Sequence, residues 1–296
     1  MTFKDSLKTK DFVISANINM AVAIDAESLM RQGEVLGPAV DAVQVADSAQ
    51  EQMSGVAAAA ILIQHGIDPI VHMNCRDRNR FAMQKDFVGV AALGVTSVLV
   101  ARGKKILKSK KLGIRNVYDT PALEFMAYIQ NMKQAEDASL VADFVVGANA
   151  EIFDPKADWV PNNLTRKCDA GTNFVQLQIC FDMSVVRNYM ARIVASTLTR
   201  RVHFIMALSQ LPSADSARWM RDNVKGALVP EPVIERLQRA ADPESEGIDI
   251  CAEMLRELAT IPGVSGANLL TLGNLETIPA AIDASGLRPG PDNELD

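Results

Sequence analysis

Residues 68–103 read DPIVHMNCRDRNRFAMQKDFVGVAALGVTSVLVARG. A short apolar run at 68–73 meets a polar turn, a spaced apolar face follows over 78–93, and a second β-branched run appears at 97–102. Hydrophobic period thus shifts from two to about 3.6 and back, the pattern of two parallel strands joined by a helix. The alternation recurs along the chain. Further strands are predicted at 11–16, 41–46, 143–148, 174–180, 202–208 and 267–272, and further helices at 57–64, 121–136, 184–199, 213–223, 231–241 and 246–260. Eight strands, each followed by a helix, in 296 residues predict the α/β class and a (β/α)8 TIM barrel formed as a single domain over 1–296. No G-x-G-x-x-G follows the first strand, which argues against a dinucleotide-binding doubly wound sheet. The closing RPGPDNELD predicts a flexible C-terminal tail from about residue 288.

Composition narrows the function classes. The net charge of −6 argues against nucleic acid as the main partner. No window approaches the roughly 18 uncharged apolar residues of a membrane span, and MTFKDSLKTKDF has no signal-peptide core, so a cytoplasmic location is expected. Four cysteines without a C-x-x-C pair predict reduced thiols, and no His, Cys and carboxylate spacing predicts a metal site.

In such a barrel the chemistry belongs at the carboxyl ends of the strands. In HMNCRDRNR, residues 72–80, Asp77 is placed to cap the next helix, Arg76, Arg78 and Arg80 to form a cationic rim, and His72 to be the functional histidine. His65 and His203 are read as a helix-end and a strand residue. In LTRKCDAGTNFVQLQICFD, residues 164–182, adjacent Arg166 and Lys167 on a helix suit a phosphate, and Gln178 carries an amide that needs partners. The stretch VARGKKILKSKK, residues 100–111, places five lysines in eight residues just beyond a buried strand.

Taken in order, HMNCRDRNR, GVAALGVTSVLVARG, RKCDAGTNFVQLQICFD, VPEPVIERL and the late TLGN resemble the methylenetetrahydrofolate reductase family over about residues 10–287. The resemblance implies a barrel that binds FAD at its mouth and passes hydride between NADH or NADPH, the flavin and a tetrahydrofolate derivative. His72 stands at the family's His-x-Thr-Cys turn, with Asn74 in place of Thr. Arg102 and Gly103 match an Arg-Gly or Thr-Gly pair beneath the flavin. Asn163, Arg166 and Lys167 match an Asn-x-x-Arg-Lys set for the FAD phosphates and ribitol. Gly147, Asn149 and Glu151 fall in the flavin-lining segment after strand five.

The substrate side departs from that pattern. Asn17 aligns with the glutamate expected to protonate the pterin, and an amide cannot act as a general acid. Lys104 aligns with an aspartate, Ala214 with a phenylalanine, Leu270 with a tyrosine and Asn274 with an arginine. Among the folate contacts Gln178 matches. Asp47, Glu151 or a water held by Asn17 are then the candidates for proton transfer. An ammonium at Lys104 favours the anionic reduced flavin, so the expectation is a flavin-dependent interconversion of 5,10-methylene- and 5-methyltetrahydrofolate, possible in the oxidative direction. The alternative is a tetrahydrofolate-binding methyltransferase or demethylation protein that has lost hydride transfer. Lys105, Lys108, Lys110 and Lys111 form either a solvated lid or an attractor for a polyglutamate tail, and a homo-oligomer is expected by resemblance.

Overall fold

A computed structural model describes residues 1–23, 25–47, 52–106, 113, 115–135, 141 and 143–288. Eight parallel strands close into a barrel in chain order: β1 (Val13–Asn17), β2 (Ala42–Val45), β3 (Pro69–Asn74), β4 (Ser97–Ala101), β5 (Val145–Ala150), β6 (Phe174–Leu177), β7 (His203–Gln210) and β8 (Val264–Thr271). Each pairs with its sequence neighbour, and β8 pairs with β1 through registers such as Ser15 opposite Asn268. The eight predicted strands are all present. Strand six is shorter than expected, so Gln178 lies just past its end, and strand eight starts earlier.

Around the barrel run α1 (Phe3–Thr9), α2 (Ala26–Leu36), α3 (Gly55–Gln64), α4 (Arg80–Ala92), α5 (Ala122–Lys133), α6 (Asn162–Asp169), α7 (Met183–Ala195), α8 (Ala214–Asn223), α9 (Glu231–Arg239), α10 (Pro243–Thr260) and α11 (Thr277–Ser285). The helices α1, α2 and α11 were not among the sequence-based expectations. Capping marks two of them: Thr2 and Asp5 form a capping box on α1, and Asp25 with Ser28 forms one on α2. Asp77 does not cap α4 as expected, because Asn79 accepts from Ala82 N there and Asp77 turns to Arg76.

Strand alternation divides the interior into levels. The floor holds Val13, Ala42, Ile70, Leu99, Val145, Phe174 and Ile205, and α1 plugs it from below with Phe3 and Leu7. Phe3 meets Phe174 edge to face at 5.4 Å. One level higher the lining turns polar, with Ser15, Gln44, His72, Gln176 and Asn268 facing the axis. The bond from Gln44 Nε2 to Gln176 Oε1, 2.8 Å, joins strands that are not neighbours and therefore crosses the interior.

All four cysteines are free and buried, and burial pushes the Cys180 and Cys251 thiols up to about 12. Among the described residues no helix is long and apolar enough to cross a membrane. The predicted tail beyond Arg288 lies outside the described residues.

Candidate active site

Above the polar level the strand ends open into a cavity of about 1140 Å³. That is slightly beyond the upper end of the roughly 300–1,000 Å³ usual for a small-ligand pocket. Asn17, Asp47, His72, Asn74, Arg102, Gly103, Lys104, Asn149, Glu151, Lys167, Gln178 and Leu270 line it, so the ends of seven strands converge with one helix residue.

Five other expected site residues do not line it. Gly147 faces inward below, where an added Cβ would lie 2.1 Å from the Phe174 ring, so it makes room for packing. Ala214 starts α8 and is buried beneath it. Asn274 caps the turn into α11, accepting from Glu276 N at 3.3 Å. Asn163 and Arg166 stand exposed on α6, outside the cavity wall, where only a ligand extending beyond the cavity could reach them.

The β1 exit is held by Gln32 of α2, whose Oε1 accepts from Asn19 N at 2.8 Å and whose Nε2 donates to Asn19 O at 3.2 Å. The β2 and β3 exits are tied by charge. Asp47 accepts from Arg78 at 2.9 Å and pairs with Arg76 at 3.4 Å, while Asn74 Nδ2 donates to Asp47 O at 2.5 Å. Arg76 is buried, and its bonds to Asp77 raise its pKa further. The expected cationic rim is therefore an internal clamp: Arg76 and Arg78 hold Asp47, Asp77 and Asp86, and Arg80 is paired with Asp119. Both Asp47 oxygens are committed to guanidinium groups, which leaves Asp47 poorly placed as a proton donor.

The β4 exit is bent by Gly103, whose φ of +79° is left-handed and whose added Cβ would sit 2.8 Å from Arg76 Cβ. The segment at 115–119 folds back on this turn. Val117 N donates to Arg76 O at 2.7 Å, Tyr118 OH donates to Gly103 O at 3.2 Å, and the Arg102 guanidinium lies 4.4 Å over the Tyr118 ring. Lys104 and Lys105 follow, exposed and lining the cavity, with no carboxylate partner among the described residues. Lys108, Lys110 and Lys111 lie outside the described residues.

Across the mouth, Lys167 Nζ donates to Asn149 O, and burial pulls its pKa below the ordinary lysine value while Glu151 offsets part of that. Exposed Glu151 meets Lys225 at 4.0 Å. Gln178 Oε1 is buried without a hydrogen-bond partner among the described residues, beneath Gly226, where a Cβ would lie 1.9 Å away. A buried acceptor left unpaired costs free energy unless a ligand donates to it. Desolvation drives the His72 pKa down to about 4, so its imidazole is neutral near pH 7. His65 caps α3 and His203 begins β7, both as expected.

The cavity can therefore hold an anionic, ring-bearing ligand: cations from β4 and α6 face it, and the Gln178 amide lines its wall. Such features fit a flavin cofactor, with Arg102, Lys104 and Lys167 available to its polar edge and phosphates. Sequence reasoning found these residues individually. It missed the ion-pair clamp and the polar level below, whose only local signal was a polar residue within the apolar runs of β1, β2, β3, β6 and β8. Among the described residues no group of His, Cys, Asp and Glu is disposed to bind a metal ion. The sequence matches the family model for methylenetetrahydrofolate reductase over residues 17–286. No curated protein matches the chain closely enough to be compared with it.

Proposed function

Because the chain belongs to the methylenetetrahydrofolate reductase family, whose chemistry is the reduction of a one-carbon unit carried on a folate, we propose that its mouth binds FAD beside a tetrahydrofolate derivative and interconverts the 5,10-methylene and 5-methyl forms. The observation that carries this reading is one cavity of about 1140 Å³ lined by Arg102, Lys167 and the Gln178 amide together with Lys104 and Lys105, which have no carboxylate partner among the described residues. Bound flavin would supply hydride transfer, with NADH or NADPH as the other electron partner.

The protein's own residues bind and orient. Arg102 is held rigid on Tyr118 and, with Lys104 and Lys167, balances ligand negative charge. His72, kept neutral, presents Nδ1 as an acceptor at the base of the cavity when Nε2 donates to Gln44. Gln178, whose amide lines the cavity wall, orients the ligand ring. Proton exchange with the substrate falls to Glu151 or to a water at Asn17, since Asp47 is ion-paired. Lys104, in place of a carboxylate, stabilises a more negative bound cofactor, which favours the oxidative direction. Lys105 adds long-range attraction for a carboxylate tail.

Protein purified with FAD and reduced by NADH or NADPH is the expected result. The replacement of two carboxylates by Asn17 and Lys104 favours a second reading, a folate-binding methyltransferase or demethylation protein, and colourless protein that binds tetrahydrofolate would establish it instead. A homo-oligomer and a cytoplasmic location complete the proposal.

A further inference from the structure

The polar level of the barrel is one continuous, directional chain. His72 Nε2 lies 2.9 Å from Gln44 Oε1, Gln44 Nε2 donates to Gln176 Oε1 at 2.8 Å and to Ser15 Oγ at 3.0 Å, Ser15 Oγ donates to Asn268 Oδ1 at 2.9 Å, and Asn268 Nδ2 donates to Asn17 Oδ1 at 3.0 Å. Ser15, Gln44 and Asn268 are wholly buried, so none can trade these partners for solvent. Each link constrains the next. A Gln44 amide whose oxygen accepts from His72 can only donate at its nitrogen, the Ser15 proton is then directed to Asn268, and Asn268 must turn its N–H toward Asn17. The Asn17 oxygen is consumed inside the barrel. Its Nδ2, with no hydrogen-bond partner among the described residues, is left to the cavity that Asn17 lines.

We propose that Ser15, Gln44 and Asn268 are positioning residues that lock Asn17 as a hydrogen-bond donor toward the bound ring, with the His72 tautomer setting the direction of the whole chain. Asn17 then selects a ligand that offers an acceptor at its position. The pocket discriminates by this fixed donor, and a histidine two strands away, on β3, sets it. Only the ligand's identity rests on the folate reading above; the polarity of the chain does not.

The test uses the full-length protein with Gln44→Glu, which cannot donate. The carboxylate of that variant would accept from both His72 and Ser15, Asn268 would reverse, and Asn17 would turn its oxygen to the cavity. In ligand-free protein, nitrogen-15 NMR should show His72 protonated at Nε2. The Asn17 side-chain amide should exchange fast with solvent in the native protein and become protected in Gln44→Glu. Ser15→Ala, which introduces no charge, should broaden or split the same resonance if Gln44→Glu fails to fold. With tetrahydrofolate as probe, Asn17→Leu and Gln44→Glu should each weaken binding about tenfold, or about 1.4 kcal/mol, and the double variant no further than Asn17→Leu alone. His72 protonated at Nδ1, an Asn17 amide unmoved by both variants, or additive losses would overturn the proposal. Absence of tetrahydrofolate binding by the native protein would refute the folate reading while the NMR result still decides the chain's polarity.

Discussion

Lys104 carries the sharpest consequence of any single residue in the mouth. It is exposed, lines the cavity and has no described carboxylate beside it, so its charge acts on whatever is bound. Opposite charges at about 4 Å interact by roughly 4 kcal/mol at an effective dielectric near 20, and a quarter of that, after solvent screening, shifts a two-electron potential by about 20 mV. Lys104→Asp should therefore lower the bound-flavin potential by about 20 mV or more in spectroelectrochemical titration; an unchanged or higher potential would show that the side chain does not face the cofactor. Single residues of this kind were legible in the sequence because they stand at strand ends, as Gln178 also does, while Lys167 was legible from its Arg-Lys pair on α6. Gln44, Ser15 and Asn268 were not, because each looks like one interruption of an apolar strand, and the partners that give it meaning lie 28 to 253 residues away.

At the scale of elements, the turn after β4 shows how the backbone fixes the site. Gly103 is left-handed and packs its Cα against Arg76 and Asn74. Gly103→Ala adds about 1–2 kcal/mol of backbone strain and a methyl contact that must displace Arg76, itself locked by Asp47 and Asp77. Urea denaturation should show a loss of at least that size, together with weaker flavin retention; a variant as stable as the native protein would mean that the turn relaxes freely. The strands were readable because their apolar runs are short, β-rich and bounded by turn residues. The helices α1, α2 and α11 were not: α1 is seven residues long, α2 carries Gln32 and Gly33 on its buried face, and Pro279 interrupts the first turn of α11.

For the whole molecule, the barrel works as a plugged cylinder, apolar at the floor, polar in the middle and cationic at the mouth. Phe3 is fully buried on the floor, and Phe3→Ala should cost about 3–5 kcal/mol in denaturant unfolding while leaving the mouth chemistry intact. The plug is tied by Asp68, which accepts from Phe3 N at 2.7 Å. Burial raises the Asp68 pKa to about 6 from an ordinary value of 3.8. The folded protein thus holds this proton more tightly than the unfolded chain, and the stability it contributes is complete below about pH 4 and lost as pH rises through about 6. Asp68→Asn keeps the acceptor and removes the titration, so its stability relative to native protein should rise between pH 4 and 6 in thermal melts; parallel curves would assign the pH dependence elsewhere. The overall architecture was legible in the alternation of periods, whereas the floor plug was hidden in a short polar segment ahead of β1. The most direct test of the proposed activity is an anaerobic titration of the purified protein with 5-methyltetrahydrofolate, following the visible flavin absorbance. A flavin band that bleaches with added 5-methyltetrahydrofolate is the predicted result, and colourless protein, or a band that neither the folate nor NADH or NADPH bleaches, would contradict it.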